Sequence, residues 1–204
     1  IKGGLEGIDF DQMASSYGMP GLVKGSGQLS LDLKTQGSTE EEMIGNLKGP
    51  LNLKTSDIIL QKINIEKTMC QGIAVINKRA LSQSFPPRTE FATVNAGVPF
   101  SKGKARIDPI SADLASIELA GSGDLDLLSS QLNLELRGTI LNSIAELDPA
   151  CELDNKYTNV TWPINCRGKL TSGAADLCKV DTANVIAQFA KESLKDSAKE
   201  KAKG

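Results

Sequence analysis

The sequence predicts a mainly β fold: a curved antiparallel sheet, groove-like, with a few short helices and a C-terminal helix. Three observations carry this. Apolar residues recur at every second position in several segments, the period that places them on one face of a strand. Gly, Ser, Asn and Asp separate those segments, as antiparallel hairpins require. Stretches with helical spacing are few and short.

The clearest strand is Gly27 to Thr35, where Leu29, Leu31 and Leu33 face one way and Gln28, Ser30, Asp32 and Lys34 the other. The same alternation returns at Leu51 and Leu53, at Ile63 and Ile65, at Ile117 and Leu119, at Leu125 and Leu127, and at Leu132, Leu134 and Leu136. It predicts a sheet of about seven or eight strands with one aliphatic and one solvated face. Gly25-Ser26-Gly27 and Gly121-Ser122-Gly123 begin two similar segments, with Gly49-Pro50-Leu51-Asn52-Leu53 as a partial third copy. Each Gly-Ser-Gly is expected at a turn that starts a new strand. Neither precedes a helix or a Lys-Ser/Thr pair, so neither reads as a phosphate-cradling loop. The period is too irregular for a solenoid.

Four helices are expected. Phe10 to Tyr17 makes two turns, and Thr39 to Leu47 opens on a Thr-Glu-Glu-Glu run suited to a helix N-terminus. A longer helix spans Glu66 to Leu81, with Met69, Ile73 and Ile76 on one face beside Cys70. The last is capped at Asp181 or Thr182 and carries Val185, Ile186, Phe189 and Leu194. Residues 1–194 read as a single domain, and 195–204 as a charged tail that frays.

Composition excludes several functions. Across 204 residues, Lys+Arg 23 against Asp+Glu 25 gives a net charge of -2, which argues against nucleic acid. The absence of histidine removes every Ser-His, Cys-His and His-metal arrangement. Asp9/Asp11 and Asp124/Asp126 are spaced to share a strand face, but they read as solvated carboxylates on the polar side of strands. No enzyme activity, metal or cofactor is expected. Asn159-Val160-Thr161 matches a glycosylation sequon, a short and weak signal.

Cys70, Cys151, Cys166 and Cys178 stand 81, 15 and 12 residues apart, which fits no zinc or redox spacing. They read as two disulfides in an oxidising compartment, with all three pairings open. No segment approaches the ~20 apolar residues of a membrane-spanning helix. Without a starting Met or an apolar leader, the sequence reads as a fragment whose targeting segment lies upstream.

The aliphatic strand face is the informative feature. Either the chain folds over and covers it, or part of it stays open to an apolar partner. Scarce aromatics, 4% of residues, suit a smooth hydrocarbon-lined trough better than a shaped small-molecule pocket. The candidate contacts are the fourteen strand residues named above, from Leu29 to Leu136.

Several segments together resemble the C-terminal part of AsmA-type proteins of Gram-negative bacteria. They are Leu5-Glu6-Gly7-Ile8-Asp9, the run Gly25 to Gly37, Leu47 to Leu53, Thr89-Glu90-Phe91, Gly121 to Leu127, and Trp162 to Gly168 before the last helix. The likeness spans about residues 5–190. It implies a periplasmic β-rich body, held to the inner membrane by an N-terminal anchor outside this sequence. It further implies a groove along which phospholipid acyl chains move in support of outer-membrane biogenesis and lipid homeostasis. The alternative is a closed β-rich cap or docking domain that binds a protein partner in outer-membrane protein assembly.

Overall fold

The structure is a computed structural model that describes residues 1–16, 18–153, 160–170, 177–189 and 191. The Asn159 sequon position, Leu194 and the tail 195–204 lie outside the described residues. Ten strands form one open antiparallel sheet. They are β1 (Lys2–Asp9), β2 (Val23–Asp32), β3 (Leu51–Gln61), β4 (Arg88–Gly97), β5 (Phe100–Ser101), β6 (Lys104–Asp113), β7 (Ile117–Asp126), β8 (Gln131–Ile140), β9 (Trp162–Lys169) and β10 (Cys178–Val180). Spatial order follows chain order, except that the two-residue β5 pairs only with β6. The sheet is a curved meander that does not close, as the alternation predicts.

The helices are α1 (Phe10–Ser16), α2 (Glu40–Gly45) and α3 (Ile65–Ile76), with a further one, α4, over 182–189. Thr39 caps α2 by accepting from the Glu42 N–H at 3.2 Å. Asp181 caps α4 through the Asn184 N–H at 3.0 Å.

Register shows why one face is apolar. Leu5, Leu29, Leu53, Ala96, Ile110, Gly121, Leu136, Ile164 and Val180 pair in succession, strand by strand, from one edge of the sheet to the other. A second row runs Ile8, Gly27, Thr55, Val94, Ala112, Leu119, Gly138, Trp162. Directly paired residues share a face, so these rows make one continuous aliphatic surface. The neighbouring row lies on the other face and is mostly polar: Gln28, Lys54, Asn95, Ser111, Ala120, Arg137, Pro163.

Four sequence expectations are corrected. The sheet has ten strands, because segments without leucine alternation also pair. Ile63-Asn64-Ile65 is not a strand: β3 ends at Gln61, Lys62 turns with φ 68°, and Asn64 caps α3 by accepting from the Lys67 N–H. That helix ends at Ile76 rather than Leu81, because Asn77 caps it and Lys78 has φ 54°. Finally, Gly25-Ser26-Gly27 and Gly121-Ser122-Gly123 lie inside β2 and β7, not at turns. A Cβ on Gly121 would sit 2.9 Å from the Leu136 Cα and against the Glu135 carbonyl. One on Gly123 would sit 2.6 Å from the Leu134 Cα. These glycines therefore serve close backbone approach within the sheet.

The core lies where α3 seats on the apolar face. Met69 and Ile73 are fully buried with Ile117, Trp162 and Ile164, and the Met69 side chain rests over Gly138, where a Cβ would meet it at 3.1 Å. Trp162 meets Phe189 of α4 edge-on, with ring centroids 6.0 Å apart. Thr89 ties β4 to the start of α3, donating to the Ile63 carbonyl at 2.7 Å and accepting from the Ile65 N–H at 3.0 Å.

Both disulfides expected from the cysteine count are present. Cys70–Cys151 joins α3 to a 3₁₀ turn (Pro149–Cys151), and Cys166–Cys178 joins β9 to β10. They close chain separations of 81 and 12 residues, which constrains the unfolded chain by about 4.5 and about 3 kcal/mol respectively on the loop-entropy relation. Three outcomes follow. In thermal unfolding, Cys70→Ser/Cys151→Ser lowers stability more than Cys166→Ser/Cys178→Ser does. Gly121→Ala costs about 1–3 kcal/mol or more by overpacking. Gly3→Ala, with nothing within 4 Å of its Cβ, stays within about 1 kcal/mol of the parent in urea unfolding.

Candidate functional site: a partly open aliphatic sheet face

The candidate surface is the apolar face itself. Successive strands lie about 4.8 Å apart, so the row from Leu5 to Val180 extends over roughly 40 Å. Its cover is uneven. At the end of the sheet where β7 begins and β8 finishes, α3, the 3₁₀ turn, the segment 141–153 and α4 close over it. On the β1–β2 side, α1 packs beside Gly27, and Phe10 and Ala14 are buried there.

The fourteen sequence-predicted residues divide along this line. Ile63, Ile65, Ile117, Leu119, Leu132 and Leu136 belong to the buried core cluster. Leu29, in β2, is likewise buried. Leu31, Leu33, Leu51, Leu53, Leu125, Leu127 and Leu134 are only half-buried. Leu125 and Leu134 still border the core, whereas Leu31, Leu33, Leu51, Leu53 and Leu127 do not. Leu31 pairs directly with Leu51, and Leu51 exchanges both backbone hydrogen bonds with Val98, at 2.7 and 3.1 Å. Leu33 and Leu127 lie just past the ends of β2 and β7, so they extend the surface from loops rather than from strands.

Sequence reading missed residues on the same surface. Leu5 is 52% exposed on the edge strand β1, and Val98, Ile107 and Ile110 are half-buried. The alternation of Val94, Ala96 and Val98 was a readable signal. In β6 it was hidden by a register shift between Ile107 and Ile110.

The carboxylates once weighed for chemistry are engaged locally. Asp9 accepts from the Asp11 and Gln12 N–H groups at the start of α1, and Asp11 accepts from the Gly21 N–H at 2.9 Å. Asp9 ends a strand and Asp11 begins a helix, so they do not share a strand face. Asp126 accepts from the Ser129 N–H in the turn after β7, and this bond holds its carboxyl below the ordinary range.

Asp148 is the polar keystone of the closed half. It is fully enclosed. Burial pushes its carboxyl up, but bonds from the Ala150, Gln83 and Ser82 N–H groups and the Ser82 hydroxyl outweigh that and hold it low. Beside it, Asn77 donates to the Ala150 and Glu152 carbonyls, so the chain after α3 is fastened to the disulfide-bearing turn. Glu66 is shifted the other way, raised by its burial and then by the nearby Glu90.

The AsmA family model matches residues 1–110, from β1 into β6. The chain belongs to the AsmA family. That stretch contains Leu31, Leu33, Leu51 and Leu53, four of the seven half-buried candidate leucines. No curated protein and no solved structure matches the chain. AsmA-family proteins are associated with the bacterial envelope, and two disulfides fit an oxidising periplasmic setting. Among the described residues, no helix is long and apolar enough to cross a membrane.

The lowered Asp148 carboxyl sets a pH expectation. Its folded pKa lies below the unfolded one, so its contribution is fully present above about pH 4 and is lost as pH falls through the folded value. Asp148→Asn is therefore expected to lower the melting temperature at pH 7. The gap to the parent narrows by pH 3, which melting curves across that range will check.

Proposed function

We propose that this domain is a non-enzymatic lipid-binding and lipid-transfer module on the periplasmic side of the inner membrane. It presents its aliphatic β-groove to phospholipid acyl chains in support of outer-membrane biogenesis and lipid homeostasis. AsmA-family membership is consistent with a lipid-transfer or outer-membrane assembly role. The observation that carries the finer reading is the half-buried leucine cluster around the Leu31–Leu51 pair, outside the core that α3 seals.

The mechanism is passive. Acyl chains lie along the row of apolar side chains while head groups remain in water. Each methylene removed from water is worth about 0.8 kcal/mol, so two tails are held by hydrocarbon contact alone. The strands cross the path rather than run along it, so a tail moving from strand to strand meets a similar aliphatic surface at each step. No side chain needs to react. Anchoring of the whole protein in the inner membrane belongs to the same reading.

A second reading has its own support. The far half of the face is sealed by α3, a disulfide and α4, which suits a cap or docking end for a protein partner in outer-membrane protein assembly.

Native mass spectrometry of the chain, purified from a Gram-negative periplasm without detergent, separates the two. Near-stoichiometric phospholipid is expected. Leu31→Arg/Leu51→Asp places an opposite-charge pair across β2 and β3 and is expected to lose most of that lipid while staying folded. Leu119→Asp buries an unpaired charge in the core and is expected to abolish folding. A lipid-free, monodisperse parent protein would favour the cap.

A further inference from the structure

We propose that a groove at the β10 edge binds the phosphate head group of an anionic phospholipid. This deepens the lipid reading above and rests on it.

The groove has a volume of about 400 Å³ and lies between α3, the 85–87 segment and β10. That is the size of a small-ligand site rather than of a peptide-length channel. Lys62, Lys67 and Lys179 line it, and no Asp or Glu does among the described residues. None of the three lysines takes part in an ion pair among the described residues. They come from three separate places: the turn after β3, the first turn of α3, and β10. Three lysines along one concavity with no carboxylate in its described lining, in a chain of net charge -2, give a local positive charge that suits a phosphate.

The remaining lining makes the site amphiphilic. Val75 and Val180 lie beside the lysines, so an apolar portion adjoins the charged one. Val180 is also the last member of the cross-sheet row that begins at Leu5. Gly72 allows the close approach of α3 to β10, since a Cβ there would meet the Val180 side chain at 3.0 Å. A groove lined by lysines and by exposed or half-buried valines matches a molecule with an anionic head and a hydrocarbon body. A purely acidic peptide would leave the valines unused.

The test titrates the 204-residue chain with dihexanoyl phosphatidylglycerol below its micelle concentration, followed by isothermal calorimetry. Dihexanoyl phosphatidylcholine, glycerol phosphate and a hexa-aspartate peptide are the comparison probes. The anionic lipid is expected to bind most tightly, and added salt to weaken it. Lys62→Gln/Lys67→Gln/Lys179→Gln is expected to weaken it at least about tenfold without changing the melting temperature. The corresponding triple Arg variant is expected to retain binding.

Equal affinity for glycerol phosphate would make this a free phosphate-ester site and overturn the lipid source. Tighter binding of the peptide would make it a protein-docking site and overturn the proposal. Unchanged lipid affinity in the triple Gln variant would also overturn it. In that event, loss of co-purifying lipid in Leu31→Arg/Leu51→Asp would show that the trough reading still stands. If that trough variant keeps its lipid while the lysine variant loses phosphatidylglycerol, the trough reading fails and the head-group site remains.

Discussion

An open sheet of ten strands has more apolar surface on one face than a few short helices can cover. Everything else in this molecule follows from that imbalance. The hydrophobic effect demands that the leucine and isoleucine face leave water, and the chain meets the demand only locally, under α1, on the β1–β2 side, and fully at one end. There Met69 and Ile73 of α3 press on Ile117, Trp162 and Ile164, and every one of these side chains is fully buried. At the other end Leu31, Leu33, Leu51 and Leu53 stop half-way.

The closed half is fastened by more than packing. Cys70–Cys151 ties α3 to the 3₁₀ turn, Asp148 gathers donors from Ser82, Gln83 and Ala150, and Asn77 reaches two carbonyls of the same turn. Cys166–Cys178 fixes the short last strand, which has only three residues of ladder to hold it. A module in a family associated with the envelope, with two disulfides that fit an oxidising setting, can rely on such bonds where its core is modest. The glycines inside β7 and β8 belong to the same design. Gly121 and Gly123 let neighbouring backbones close up, and Gly138 makes room for Met69.

Much of the fold was legible because a two-residue period needs no tertiary information. Leu29, Leu31 and Leu33, or Leu132, Leu134 and Leu136, announce a strand and its buried side on their own. β4 and β6 were harder to read: β4 alternates small residues such as Thr, Ala and Val weakly, and β6 shifts register between Ile107 and Ile110. Ile63 and Ile65 mimic a strand, yet Asn64 between them is a helix cap, and the cap decides the local structure. The disulfides were legible in number but not in pairing, which depends on contacts between Cys70 and a turn 81 residues away. For the same reason, sequence could not separate Leu119, a core residue, from Leu51, a half-exposed one: both alternate, and only the position of α3 distinguishes them. The lysine groove was illegible too, since Lys62, Lys67 and Lys179 meet only once β10 lies beside α3.

The central claim is that acyl chains occupy the inward side of the uncovered strands and nothing on the outward side. Photocrosslinking tests this most directly, with a benzophenone amino acid placed one position at a time at Leu51, Asn52, Leu53 and Lys54 in living Gram-negative cells. The period of the strand predicts lipid adducts at Leu51 and Leu53 and none at Asn52 and Lys54. Adducts at none of the four positions, or equally at all four, would contradict the account.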